Sequence, residues 1–213
     1  MRLTERFDVR PNQRTLIIGM TGSGKSQLAE FLCREFNSLI VLDYKHEIEW
    51  EGFTIIHNMR DLARCGATPE YNRIVFRVPY DWERKEYDVF FKWVLQRKNT
   101  RVYVDEGMVI GDNAAFPKHL KICTVVGRSL GVGLIVTVQR PATIPKFLMT
   151  DSEHKFIFYL ADKADRERVE QQCGFEIDWE DHENGVPHES YQFMHARAGK
   201  AHATGPYVIS LPD

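Results

Sequence analysis

Eight residues near the N-terminus, Gly19-Met20-Thr21-Gly22-Ser23-Gly24-Lys25-Ser26, follow the pattern GxxxxGK[ST]. Each residue type has a physical purpose. Glycines let the backbone curl until successive N–H groups point inward at phosphate oxygens. A helix opening at the lysine adds positive partial charge. Lys25 is then placed to reach the β- and γ-phosphates, and the Ser26 hydroxyl to ligate Mg²⁺. With Gln27, these residues are the expected triphosphate cradle. A second cluster lies at 102–106, Val-Tyr-Val-Asp-Glu. An Asp after a run of apolar strand residues supplies the second protein anchor for the metal, which assigns Asp105. Glu106 comes next, and a carboxylate there can polarise an attacking water. Hydrolysis of ATP is therefore expected over transfer to a bound acceptor. Neither NKxD nor a DxxG after the loop occurs, which argues against a GTPase.

The elements that must hold these residues are legible in the hydrophobic pattern. Apolar runs at 15–19, 38–43, 53–57, 73–78, 101–106, 134–138 and 155–160 read as strands. Helical spacing is expected over 24–36, 83–98, 117–130 and 163–172. Strands alternating with helices predict a layered α/β domain with a mainly parallel sheet. The loop then sits where a strand gives way to a helix, the context that the motif requires. Segments 191–194 and 206–211 are expected to pair as a hairpin around Ala198-Gly199-Lys200. One domain over 1–213 follows, with a core at about 14–173 and a C-terminal extension at about 174–213.

Composition narrows the partners. The 213 residues carry a formal net charge of -2, so a nucleic-acid partner would need a local basic surface or a ring of subunits presenting one. Cys33, Cys65, Cys123 and Cys173 form no CxxC pair and read as reduced thiols, mostly in the core. His182, His188, His195 and His202 match no zinc spacing and are expected as exposed polar residues of the hairpin region. Trp50, Trp82, Trp93 and Trp179 are expected to pack. No apolar run is long enough to span a bilayer, and a cytoplasmic protein without membrane insertion is expected.

Taken together, GMTGSGKS at 19–26, VLDYKHE at 41–47, VYVDE at 102–106, GRSLGVGLIVTVQRP at 127–141 and Ile144-Pro145 resemble the FtsK/HerA class of ring-forming ATPases. The matched stretch runs from 15 to about 170. The resemblance implies a RecA-like fold of the additional-strand, catalytic-Glu type, with a C-terminal β extension. It implies that Gln139 senses the γ-phosphate from the strand beside the loop strand. It implies that Arg128 enters a neighbour's site, in a homo-oligomeric ring expected to be a hexamer. Double-stranded DNA is the implied partner. The small size resembles viral genome-packaging ATPases, which adds a capsid or portal vertex as a partner and a capsid-associated location in the host cytoplasm. Lys118, Lys121, Lys146 and Lys45 are candidate DNA contacts. Arg140 and Arg77 are weaker finger candidates. A virion-export or conjugative DNA-transfer ATPase, and from other classes a small-molecule kinase or a nucleotide-gated module without turnover, stand as alternatives.

Overall fold

A computed structural model describes residues 6–65, 72–112, 114–181, 183, 185–188 and 190–209. His182 lies outside them. A nine-stranded sheet runs β3-β4-β2-β5-β6-β1-β7-β8-β9. The strands are β1 (Arg14–Ile18), β2 (Leu39–Asp43), β3 (Thr54–Ile56), β4 (Arg73–Arg77), β5 (Arg101–Val104), β6 (Gly133–Val138), β7 (His154–Ile157), β8 (Gln192–Arg197) and β9 (Thr204–Val208). All pairings from β3 through β7 are parallel, whereas β7–β8 and β8–β9 are antiparallel. The helices are α1 (Lys25–Arg34), α2 (Met59–Cys65), α3 (Arg84–Arg97), α4 (Lys118–Val126), α5 (Lys146–Thr150) and α6 (Lys163–Cys173). This is the expected α/β class with its C-terminal β extension.

Alternating side chains on each central strand feed two cores, one on each face of the sheet. Leu16, Ile18, Ile40, Leu42, Val102, Val104, Leu134 and Val136 face one layer, where Tyr87, Phe90 and Phe91 of α3, Leu120 of α4 and Val169 of α6 cover them. Ile17, Leu39, Val41, Tyr103 and Ile135 face the other, under Leu28, Ala29 and Leu32 of α1. The side chains of both layers are almost fully buried.

Several expectations need correction. The helix expected over 117–130 ends at Val126 and tightens into a 3-10 turn, Gly127–Leu130. Helices α2 and α5 are too short to show a periodic apolar face in sequence. The hairpin forms as expected around 198–200, but its strands run further, so β8 and β9 are joined through residues 198–203, and it extends the main sheet through β7. His195 is buried instead of exposed. It stacks on Phe156 and His154, because β8 turns it into the layer under Phe7. Trp50 packs as expected, stacked on Tyr103 at 5.8 Å, as does Trp82 against Phe76, Tyr87 and Phe90.

Candidate active site

Parallel register brings the chemical residues to one edge. Ile18 of β1 is level with Val138 of β6, and Val136 of β6 is level with Val104 of β5. Gly19, Gln139, Asp105 and Glu106 therefore all emerge at the C-terminal edge, where open α/β sheets bind ligands. Strand β6 lies between the loop strand β1 and the acidic strand β5. This interposed strand is what carries Gln139 to the loop. Its amide oxygen accepts the Thr21 hydroxyl at 2.9 Å.

The loop has the curl that its glycines permit. Gly22 and Gly24 have φ of 81° and 100°, a left-handed region that side chains disfavour. Gly24 caps α1 without a side chain, so the helix's first N–H groups are open to a ligand. The loop is pinned at both sides. Gly19 N–H donates to Val138 O at 3.0 Å, and Met20 N–H to Tyr159 O at 3.0 Å. Lys25 folds back to donate to Met20 O at 2.7 Å. Burial lowers its pKa to about 8, while the nearby carboxylates Glu106 and Asp105 oppose the shift.

The acidic pair is held differently. Asp105 Oδ1 accepts the Tyr103 hydroxyl at 3.0 Å and lies 3.3 Å from the Thr137 hydroxyl. Oδ2 faces the Lys45 ammonium at 3.6 Å. Glu106 has φ of 79°, a strained value for a non-glycine residue, and its N–H donates to Thr137 Oγ1 at 2.9 Å. Burial raises the Glu106 carboxyl pKa, with Lys45 and Lys25 opposing. Its Oε1 is buried with no hydrogen-bond partner among the described atoms. An unpaired buried carboxylate oxygen is costly and marks a place for a water or reacting group.

Lys45 therefore belongs to this site and not to a distant DNA-contacting surface. The loop after β2 carries it there. Asp43 accepts the Glu47 and Ile48 N–H groups at 3.3 and 3.0 Å, and is paired with Arg77 at 3.4 Å. That ion pair buries Arg77 and excludes it as a finger. Arg140 is also engaged, bonded to Asp165 at 2.7 Å and Asp162 at 3.3 Å, and ties the segment after β6 to α6. Thr137 escaped sequence reasoning because it looks like one more β-branched strand residue. A lone hydroxyl two positions before Gln139 was the available signal.

Arg128 is not brought to this cluster. It is exposed on the 3-10 turn after α4. Its carbonyl accepts the Asn12 side chain at 3.2 Å, and Asn12 precedes β1 whereas the loop follows it. The intervening strand puts Arg128 roughly 20 Å from its own loop. Val125 and Val126 beside it are exposed, at 68% and 39%.

Ser26 and Asp105 line one cavity of about 410 Å³ together with Lys45 and Trp50. Their oxygens form a hard donor set that suits Mg²⁺.

Scanned against models of known protein families, the chain matches none. In sequence it is 28% identical over 170 residues to the DNA packaging ATPase P9 of Enterobacteria phage PRD1, covering 74% of this chain and 69% of that protein. In fold it matches the genome packaging NTPase B204 of Sulfolobus turreted icosahedral virus 2. The complex with ATP-gammaS gives a TM-score of 0.71 at 13% identity, covering 94% of this chain and 99% of the other. The AMPPCP complex gives 0.68 at 16% identity, with 94% and 100% covered. B204 of Sulfolobus turreted icosahedral virus, a DNA-packaging ATPase, gives 0.70 at 14% identity, with 95% and 100% covered. The chain thus has the P-loop NTPase fold of a viral packaging ATPase and resembles one in sequence.

Proposed function

We propose that this chain hydrolyses ATP as one subunit of a motor that drives double-stranded DNA into a viral capsid. The likeness to P9 and B204, which extends over most of the chain, carries the reading. The geometry at the sheet edge supports the hydrolytic part. Loop N–H groups and Lys25 bind the β- and γ-phosphates. Glu106, whose carboxyl pKa is raised by burial and which has one oxygen unpaired, accepts the proton of the attacking water. Thr137 holds the Glu106 backbone, and Gln139 reports the γ-phosphate to β6. Mg²⁺, held by Ser26 and Asp105, supplies neutralisation of phosphate charge when bound. Lys45 exchanges its place on Asp105 for the phosphate side.

Arg128 acts in the next subunit. It is too far from its own loop, and its exposed Val125 and Val126 neighbours supply apolar surface for a subunit contact. A finger of this kind is worth ~10³–10⁵ in rate. The ring, expected to be a hexamer, presents Lys118, Lys121 and Lys146 to the DNA. All three are exposed. Contact through one or two lysines per subunit reconciles a slightly acidic chain with DNA. No described helix is long and apolar enough to cross a membrane, and the motor works at a capsid vertex in the host cytoplasm.

Steady-state hydrolysis with and without duplex DNA tests this reading, with oligomeric state followed in parallel. DNA is expected to stimulate turnover of an assembled ring. An assembled ring indifferent to DNA refutes the motor. Mixing Arg128→Ala with Lys25→Ala subunits is expected to restore part of the activity. No rescue at any ratio removes the trans assignment.

A further inference from the structure

We infer that Tyr159, His188 and Tyr191 form the subsite for the nucleoside end of the substrate, a slot that reads a base by stacking. This rests on the ATP reading above and adds where the base lies. Strand β1 has β6 on one side and β7 on the other. Everything that handles the terminal phosphate stands on the β6 side: Gln139, Asp105, Glu106 and Lys45. Ser26 and Asp105 share a cavity there. A triphosphate with its γ end on that side must leave its nucleoside on the β7 side.

A separate cavity of about 360 Å³ opens on that side. It starts at the loop residues Met20–Ser23 and is walled by Tyr159, His188 and Tyr191. That volume falls within the range of small-molecule sites. The rings are anchored to the loop. Tyr159 follows β7 and receives the Met20 N–H on its carbonyl. The Arg166 guanidinium sits 5.0 Å from its ring centroid, and His188 stands edge-on at 5.1 Å and 65°. Tyr191 enters β8 with φ of 53°, a conformation that a tyrosine adopts only under constraint. A Cβ on Gly24 would lie 3.4 Å from Tyr191 Cδ1, so this ring abuts the helix N-terminus. It is nonetheless 39% exposed. An exposed aromatic held strained against the phosphate loop is placed to take a planar partner. The described side chains lining the slot offer hydroxyls and one imidazole. Stacking on these rings is tolerant of base identity, because every base has a π-face, so adenine and guanine are both expected to bind. The C-terminal extension thereby becomes part of the substrate site.

Equilibrium binding of ATP, GTP and inorganic tripolyphosphate to the full chain separates the two ends of the ligand. Tyr191→Ala is expected to weaken ATP and GTP by ~10-fold, the scale of base–aromatic stacking. Tripolyphosphate should be unchanged, and Tyr191→Phe should retain wild-type affinity for all three. A matched thermal melt guards against misfolding, and Tyr191 is exposed enough for the alanine variant to fold. Equal weakening of ATP and tripolyphosphate, or none of either, overturns the subsite while leaving the phosphate site standing. So does a loss seen with Trp50→Leu and not with Tyr191→Ala, which would move the base to the other cavity. A wild-type chain that binds neither ATP nor tripolyphosphate overturns the ATP reading itself, and the subsite with it.

Discussion

Lowering the pH from 7.5 to 5 should remove about 4 kcal/mol of stability, through two histidines buried where β7 meets β8. His154 Nδ1 and His195 Nε2 lie 3.0 Å apart, and His154 Nε2 lies 3.0 Å from Gln13 Oε1. An amide oxygen only accepts, so His154 Nε2 carries the proton. Its Nδ1 then accepts from His195 Nε2–H. Both rings are neutral in this arrangement, and a proton on His154 Nδ1 would break it. Burial, and then the Arg197 charge, lowers His154 to about 4; burial, and then His154 and Arg197, lowers His195 to about 3. The unfolded chain binds these protons near pH 6.5. Because the folded values are depressed, the stability is fully present above that pH and is lost as pH falls toward the folded values. At pH 5 each ring accounts for about 2 kcal/mol, out of the 5–15 kcal/mol typical of a folded domain. Urea titrations at pH 7.5 and 5 measure this, with a midpoint drop of about 2 M expected. In His154→Gln/His195→Gln the absolute stability changes, but the difference between the two pH values should shrink to a small residue. Equal losses in wild type and double variant would refute the assignment and point to carboxylates.

Three further outcomes follow from the described contacts. Glu106→Gln should lower phosphate release by ~10²–10⁴ while equilibrium ATP binding stays within a few-fold; unchanged turnover would place the base elsewhere. Gly133→Ala should destabilise by ~2 kcal/mol or more in chemical denaturation, since a Cβ there collides with the Pro11 carbonyl oxygen and crowds Arg101 Nε. Arg140→Ala should cost about 1–2 kcal/mol, a value reduced for the half-exposed arginine, because Asp165 is left buried with only the Ala142 N–H. It should also slow turnover through Gln139 next door, and stability equal to wild type would show the tie to be idle.

The parallel core was legible because buried strands leave continuous apolar runs, and because the loop motif fixes which strand is first. Gly19–Ser26, Asp105 and Glu106 were legible for the same reason: their chemistry is local in sequence. Lys45 was not. It reaches Asp105 only because Asp43 and Arg77 fold the β2 loop over the sheet edge, a contact between segments about 30 residues apart. Thr137 and His195 were missed for a different reason. Each is a polar residue in a strand, and a two-residue period cannot tell whether a polar side chain faces water or a partner inside. The pairing of β8 with β7 joins segments separated by the whole of α6, and no local signal carries such a pairing.

The Lys45–Asp105 contact has a consequence for assembly. Lys25 and Lys45 stand against Asp105 and Glu106, and Glu30, Glu47 and Glu49 line the same cavity, so the cleft is acidic before any ligand enters. A nucleoside triphosphate brings further negative charge even with a divalent ion. If Arg128 enters the neighbouring copy's site as proposed, it brings the occupied cleft a matching positive charge. On that proposal, occupancy and association would be linked equilibria, each strengthening the other by the same factor.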